Sequence, residues 1–259
     1  MKIIKLFPFC VIYFVFSFTT SCGNTDEPQN TDIVFNSNLK YGNVKDIDGN
    51  VYKTISIGTQ IWMAENLKTT RYRNGDTIPN VKSNNMWDGL NTGALCTYNN
   101  TTNKDSILRF GRLYNWYALN DKRLIAPIGW HIPTDTEWQT LQDFLSIVSY
   151  NSPYGKSTED ISKSLASTSG WLASTVIASV GDNLTKNNNS GFTAMPGGFR
   201  IDYGNFREIN TTCIFFGLGT NVHYSKDYFI GFSNTDSNIG IYGYGGMKQS
   251  GFSVRCVKD

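Results

Sequence analysis

Gly129-Trp130-His131-Ile132-Pro133-Thr134-Asp135-Thr136-Glu137-Trp138-Gln139-Thr140-Leu141-Gln142-Asp143-Phe144-Leu145 has the strongest local grammar in the chain. A Gly-Trp pair runs into a proline. Thr134 then stands three residues before Glu137, the spacing of a capping box that satisfies free amides at a helix start. Trp138, Leu141, Leu145 and Val148 follow at steps of three, four and three, which gives one apolar helical face. The rest of the domain is expected to pack on that face.

Upstream, Val44 to Ile47, then Asp48-Gly49, then Asn50 to Ile57 reads as two strands across a tight type I′ turn. Val51, Lys53, Ile55 and Ile57 are expected to share one face. Gly58-Thr59 turns into a third strand, Gln60 to Met63. Ala64 to Leu108 is loop-rich, and Phe110 to Leu119 reads as a short aromatic helix. A further helix is expected from Ser157 or Thr158 to Ser167, with Ile161 and Leu165 inward. Beyond Ser169 the helical signals stop. Strands are expected near Ser190–Arg200, Thr212–Phe216, Lys226–Phe232, Ile239–Tyr242 and Phe252–Lys258. This order predicts an α+β domain with antiparallel sheets, two or three helices in the first half and a strand- and loop-rich second half. No fixed-period repeat interrupts it.

The N-terminus has a different character. Lys2 and Lys5 precede an apolar run from Leu6 to Phe18, the length of a secretory signal core and too short to span a bilayer. Thr19-Thr20-Ser21-Cys22 closes it like a bacterial lipobox. The expectation is a signal peptide over 1–21, lipid on Cys22, a flexible tether over 22–42 and a folded domain over 43–259. Asp26 and Glu27 are similar to the acidic export signal of surface-exposed outer-membrane lipoproteins of Bacteroidota. Setting aside Lys2 and Lys5 leaves 21 basic residues against 21 acidic ones. That balance argues against a nucleic-acid partner and against a charged membrane-binding face; the membrane is met through the acyl chains of Cys22. Cys96, Cys213 and Cys256 remain in the domain. An oxidising compartment permits one disulfide among them, and three pairings are open.

Six ordered stretches carry a resemblance: Asp46 to Thr54, Ile57 to Leu67, Gly111 to Ala118, Gly129 to Thr134, Gly191 to Arg200 and Ser253 to Asp259. Together they resemble the Fibrobacter succinogenes major paralogous domain of secreted and surface proteins, from about residue 43 to the end. The resemblance implies an extracellular module with a C-type lectin-like fold related to formylglycine-generating enzymes, its first and last strands side by side. Two departures stand out. Ala126-Pro127 occupies the place of the family's Cys-Pro, which leaves Cys256 without that partner; Cys213 is the substitute candidate and Cys96 the alternative. The family's Trp-Trp-Ser-Ser-Thr segment is replaced by Cys213-Ile214-Phe215-Phe216-Gly217.

No catalytic or metal constellation is visible, and no cofactor is expected. An EF-hand beginning at Asp46 needs glycine and glutamate where Val51 and Ile57 stand, so Asp46, Asp48 and Asn50 read as hairpin turn residues. His131 and His223 lack a ligand-spaced partner for zinc, and His131 reads as structural. Glu27-Pro28-Gln29 lies in the tether and Trp87-Asp88 lacks partners, so the sugar motifs of C-type lectins do not carry over. Cys213 and Cys256 are too far apart for the paired cysteines of formylglycine-generating enzymes. Trp87, Trp171, Tyr203, Tyr242 and Tyr244, with Tyr154 and Tyr224, stand beside Gly, Asn or Ser and are candidates for exposed, ligand-facing rings. The expected function is a non-catalytic binding or adhesion module on the cell surface, with a glycan or surface protein as ligand. The alternatives are a polysaccharide-acting enzyme built from distant residues and a structural envelope component.

Overall fold

The computed structural model describes residues 33–150, 161–219, 227–242 and 247–259. Cys22, Tyr154, Tyr224 and Tyr244 lie outside them. Five strands form the main sheet: β1 (Gly42–Lys45), β2 (Val51–Ile57), β3 (Gln60–Met63), β6 (Trp130–His131) and β12 (Val257–Lys258). Their order is β1-β2-β3-β12-β6, all antiparallel, so the last strand enters between β3 and β6. Three smaller sheets join β4 (Leu95–Cys96) to β5 (Leu113–Tyr114), β7 (Gly197–Arg200) to β8 (Phe206–Ile209), and β9 (Thr212–Leu218) to β10 (Asp227–Ser233) and β11 (Gly240–Tyr242). The helices are α1 (Asn84–Trp87), α2 (Lys104–Phe110), α3 (Trp116–Leu119), α4 (Asp135–Tyr150) and α5 (Ile161–Leu165). The domain is α+β, and most of its helices are a turn or two long.

The capping box forms as read. The Thr134 amide donates to Glu137 Oε2 at 2.8 Å, and the Glu137 amide donates back to Thr134 Oγ1 at 3.2 Å. From there Trp138, Leu141 and Leu145 turn into the core. The Trp138 ring lies 4.7 Å from Trp62 on β3 and stacks on Phe215 of β9 at 5.8 Å. Helix α4 thus bridges the first sheet and the last, with Phe192 edge-on between them.

Several local expectations are corrected. In β2 the exposed side chains are Val51, Lys53 and Ser56, while Tyr52, Thr54, Ile55 and Ile57 are buried. Coverage changes face along the strand: Tyr52, in the first half, joins one core cluster, and Ile55 and Ile57, in the second half, join another on the opposite side. The turn before it is wider than a two-residue I′ turn. Only Gly49 has positive φ (+87°), and Asp46 closes the loop by accepting from the Asn50 amide at 2.9 Å and from the Tyr52 hydroxyl at 2.5 Å. The aromatic helix expected over 110–119 is divided. Gly111, at φ +74°, ends α2, and a Cβ there would sit 2.6 Å from Asn66 Cβ. The chain then pairs as β5 and restarts as α3 under an Asn115 cap. Phe252–Lys258 is a strand only at its end. Phe252, Val254 and Cys256 enter the second cluster and Val257 the first, so this segment threads between them.

The expected tether does not run to residue 42. Phe35, Leu39 and Tyr41 pack on the first core cluster. Asn36 Nδ2 donates to the Asn188 carbonyl at 3.0 Å, and the Tyr41 hydroxyl donates to the Gly191 carbonyl at 3.3 Å. Aromatic side chains spaced through a polar segment were enough to dock it.

Candidate functional site

The motif residues converge on structure rather than on a pocket. Arg255 is fully buried. Its Nε donates to Asn66 Oδ1 at 2.7 Å, Nη1 to the carbonyls of Met63 (2.9 Å) and Phe192 (2.6 Å), and Nη2 to that of Thr193 (2.8 Å). The guanidinium lies over Phe192 at 4.6 Å. Burial pulls its pKa down to about 9, and the ring of carbonyls offsets that cost. Asn66 in turn donates to the Phe110 carbonyl at 2.8 Å. Arg200 repeats the device near β7, donating to the carbonyls of Gly204, Val81 and Lys82 and to Asn84 Oδ1 at 2.6–3.0 Å, with its charge 4.2 Å over the Trp87 ring. A buried arginine with only carbonyl acceptors is invisible to a reading that places charge outside.

These pins correct two ring expectations. Trp87 is buried beneath Arg200, and Trp171 is buried against Phe232 at 5.5 Å with its indole N–H on Ser167 Oγ at 3.1 Å. Both rings lie inside the core rather than on the surface. Tyr203 is 66% exposed, on the turn between β7 and β8, and Tyr242 lies on β11. The expected Cys213–Cys256 bridge is not formed, nor is one through Cys96. All three are free, buried thiols; Cys213 belongs to the first core cluster and Cys256 to the second. Burial raises each thiol's pKa, for Cys96 to about 12. His131 is structural in its contacts: its two ring nitrogens meet Asp259 Oδ1 at 2.6 Å and Glu137 Oε1 at 2.7 Å. Burial opposes its charge, but the two carboxylates outweigh this and raise its pKa. Among the described residues no three His, Cys, Asp or Glu side chains gather as a metal site.

An open cleft of about 650 Å³ was not legible in the sequence. Trp116 and Tyr117 of α3 form one wall, Asn91, Thr92 and Gly93 another, and Asn120 to Arg123 the rim. Asn115 ties the walls together. Its Oδ1 accepts from the amides of Ala94 (2.9 Å) and Ala118 (3.1 Å), and its Nδ2 donates to the Thr92 carbonyl at 2.8 Å. Below, the buried Tyr72 hydroxyl points at Gly93, where any Cβ would collide with it. Asp121, the acidic side chain among the described residues that line the cleft, is held by Arg123, with Nε to Oδ1 at 2.9 Å and Nη2 to Oδ2 at 2.7 Å. Arg123 also binds Asp76 at 3.0 Å. Hydrogen bonds from Arg123 to Asp121, and from Asn74 and then Arg123 to Asp76, keep both carboxylates below the usual range. Asn91, Thr92, Asn120 and Lys122 are exposed around them.

A family model for the Fibrobacter succinogenes major domain matches residues 55–258. The chain belongs to this family. No curated protein and no solved structure matches the chain. Within this Fibrobacter succinogenes major domain, the Trp62-to-Leu67, Gly111-to-Ala118, Gly191-to-Arg200 and Ser253-to-Asp259 stretches meet around Asn66 and Arg255. They account for the framework, and the cleft over Tyr72 is built on top of it.

Proposed function

We propose that this domain is a non-catalytic glycan-binding module that uses the cleft between Asn91–Gly93 and Trp116–Arg123. The observation that carries this is the cleft's chemistry. A shallow, open trough has a half-buried tyrosine edge and a rim of amides, a hydroxyl and an ammonium, donors and acceptors that suit sugar hydroxyls. Its carboxylate is already neutralised by Arg123. A glycosidase acid needs a pKa raised above the ordinary value, and Asp121 and Asp76 are held below theirs. The finer fold reading, C-type lectin-like, belongs to the same proposal. It is supported by the return of β12 into the sheet of the first strands. So does display at the outer-membrane surface through lipidated Cys22, which rests on the sequence pattern of residues 1–27.

The test is an oligosaccharide array probed with the purified protein and with Tyr117→Ala and Asn120→Ala. Binding to a defined glycan set that falls at least tenfold in either variant supports the reading. Binding that both variants retain in full, or no glycan bound at all, sinks it. Release of shortened sugars from the array would move the enzyme reading ahead.

A further inference from the structure

From Gly170 to Gly181 no residue carries a charge. Within this stretch Leu172 and Val176 are exposed and Ile177 is 87% exposed, with Ala173 and Thr175 also open to solvent. Apolar side chains scattered singly over a surface are ordinary. Three of them on one short uncharged loop mark a contact surface.

The loop is held in shape from below. The Ser174 amide donates to the Gly181 carbonyl at 3.1 Å, the Ser179 amide to the Val176 carbonyl at 3.2 Å and the Ala178 amide to Asp182 Oδ2 at 3.0 Å. From α5 the buried Lys163 ammonium donates to the carbonyls of Ser179, at 2.8 Å, and Asp182. Backbone groups paired within the loop lower the cost of moving it out of water.

The base of the loop lies where the described chain begins. The Val180 carbonyl accepts from Asn187 Nδ2 at 3.1 Å, and the neighbouring Asn188 carbonyl accepts from Asn36 Nδ2 at 3.0 Å. Only ten residues separate Ile33 from Cys22. Even fully extended they reach at most about 40 Å. A lipid on Cys22 therefore holds this end of the domain close to the bilayer.

We propose that the 172–177 loop is a second membrane contact, with Leu172, Val176 and Ile177 entering the bilayer interface. An uncharged apolar tip fits the boundary between headgroups and acyl chains and needs no anionic lipid. This rests on the lipid anchor at Cys22 and is independent of the Tyr117 cleft.

The experiment uses the acylated protein in phosphatidylcholine vesicles doped with nitroxide-labelled phosphatidylcholine. An environment-sensitive fluorophore is attached at Ile177→Cys or, as control, at Tyr203→Cys; Cys96, Cys213 and Cys256 are buried and do not compete. Tyr203 is exposed at the opposite end of β8 from Asn210, whose carbonyl accepts from the Leu172 amide at 2.8 Å. Vesicle flotation reports the anchor, and quenching reports the loop. The protein is expected to float, with position 177 blue-shifted and quenched roughly twofold or more over position 203, independently of salt. Adding Leu172→Ser and Val176→Ser is expected to lower quenching at 177 to the level at 203. Equal quenching at both positions in floating protein, or quenching that survives the two serines, overturns the proposal alone. Protein that does not float overturns the anchor and the proposal together. A blue shift at 177 in Cys22→Ala without vesicles, growing with protein concentration, assigns the loop to a second copy of the chain and also overturns the proposal.

Discussion

Replacing Arg255 with alanine tests the claim that the family motifs build a framework. The variant removes a charge, which relieves a desolvation cost of several kcal/mol. It also strands Asn66 Oδ1 and the carbonyls of Met63, Phe192 and Thr193, all now within 2.6–2.9 Å of the guanidinium. At roughly 1–3 kcal/mol per stranded buried acceptor, the loss is about 4 kcal/mol even at the low end. The vacated space between Phe192 and Phe215 adds a cavity penalty of about 1–2 kcal/mol. Set against the relieved charge, the expected net is about 3–5 kcal/mol, the range for breaking one side of a buried polar network. In a domain of this size that lowers Tm by roughly 6–20 °C. Urea unfolding followed by tryptophan fluorescence reads the difference directly. Arg255→Lys, which keeps the charge but supplies three donors without the fork, should recover less than half. A loss below about 1 kcal/mol for Arg255→Ala would show that the carbonyl ring is incidental and that the motif must be explained in another way.

Thr134→Ala removes one arm of the capping box and should cost about 1 kcal/mol in the same assay; no change would mean that α4 is held by its apolar face alone. For His131 the folded pKa is raised, so its contribution is fully present below the unfolded pKa, near 6.5, and is lost as pH rises through the folded value. The Tm gap between wild type and His131→Gln should therefore be wider at pH 5.5 than at pH 8.5, and the opposite slope would refute the contacts with Glu137 and Asp259. Gly93→Ala drives a methyl into the Tyr72 hydroxyl and sits 3.0 Å from the Ala118 backbone, which should cost roughly 1–3 kcal/mol. Tyr72→Phe removes the hydroxyl that a Gly93 side chain would meet and should rescue Gly93→Ala by at least half; additive losses in the double variant would show that the two positions do not meet.

The elements that were legible had a local cause. The capping box at Thr134, the spacing of Trp138, Leu141 and Leu145, and the strands around Gly58 follow from backbone hydrogen bonding and periodicity within a few residues. The errors come from long-range packing. The face read for β2 holds for Ile55 and Ile57 but not for Val51 and Lys53, because the covered face changes along the strand and Tyr52 and Thr54 are the buried residues of its first half. Trp87 and Trp171 sit among Gly, Asp and Ser, yet each is covered by a group far away in sequence, Arg200 and Phe232. The cleft was missed because its walls, residues 91–93 and 116–123, are brought together by the pairing of β4 with β5 and by Asn115, whose side chain bridges segments that local patterning treats separately. Buried arginines leave no periodic signal at all. Their signature is the tertiary arrangement of carbonyls that receives them.

The central claim is that the Tyr117 cleft binds a glycan without changing it. The direct measurement is a calorimetric titration with an oligosaccharide from the bound set, followed by mass spectrometry of the recovered sugar. Saturable binding that is lost in Tyr117→Ala, with the sugar returned at its original mass, is the predicted result. Cleaved or modified sugar, or binding that persists unchanged in Tyr117→Ala, would contradict it.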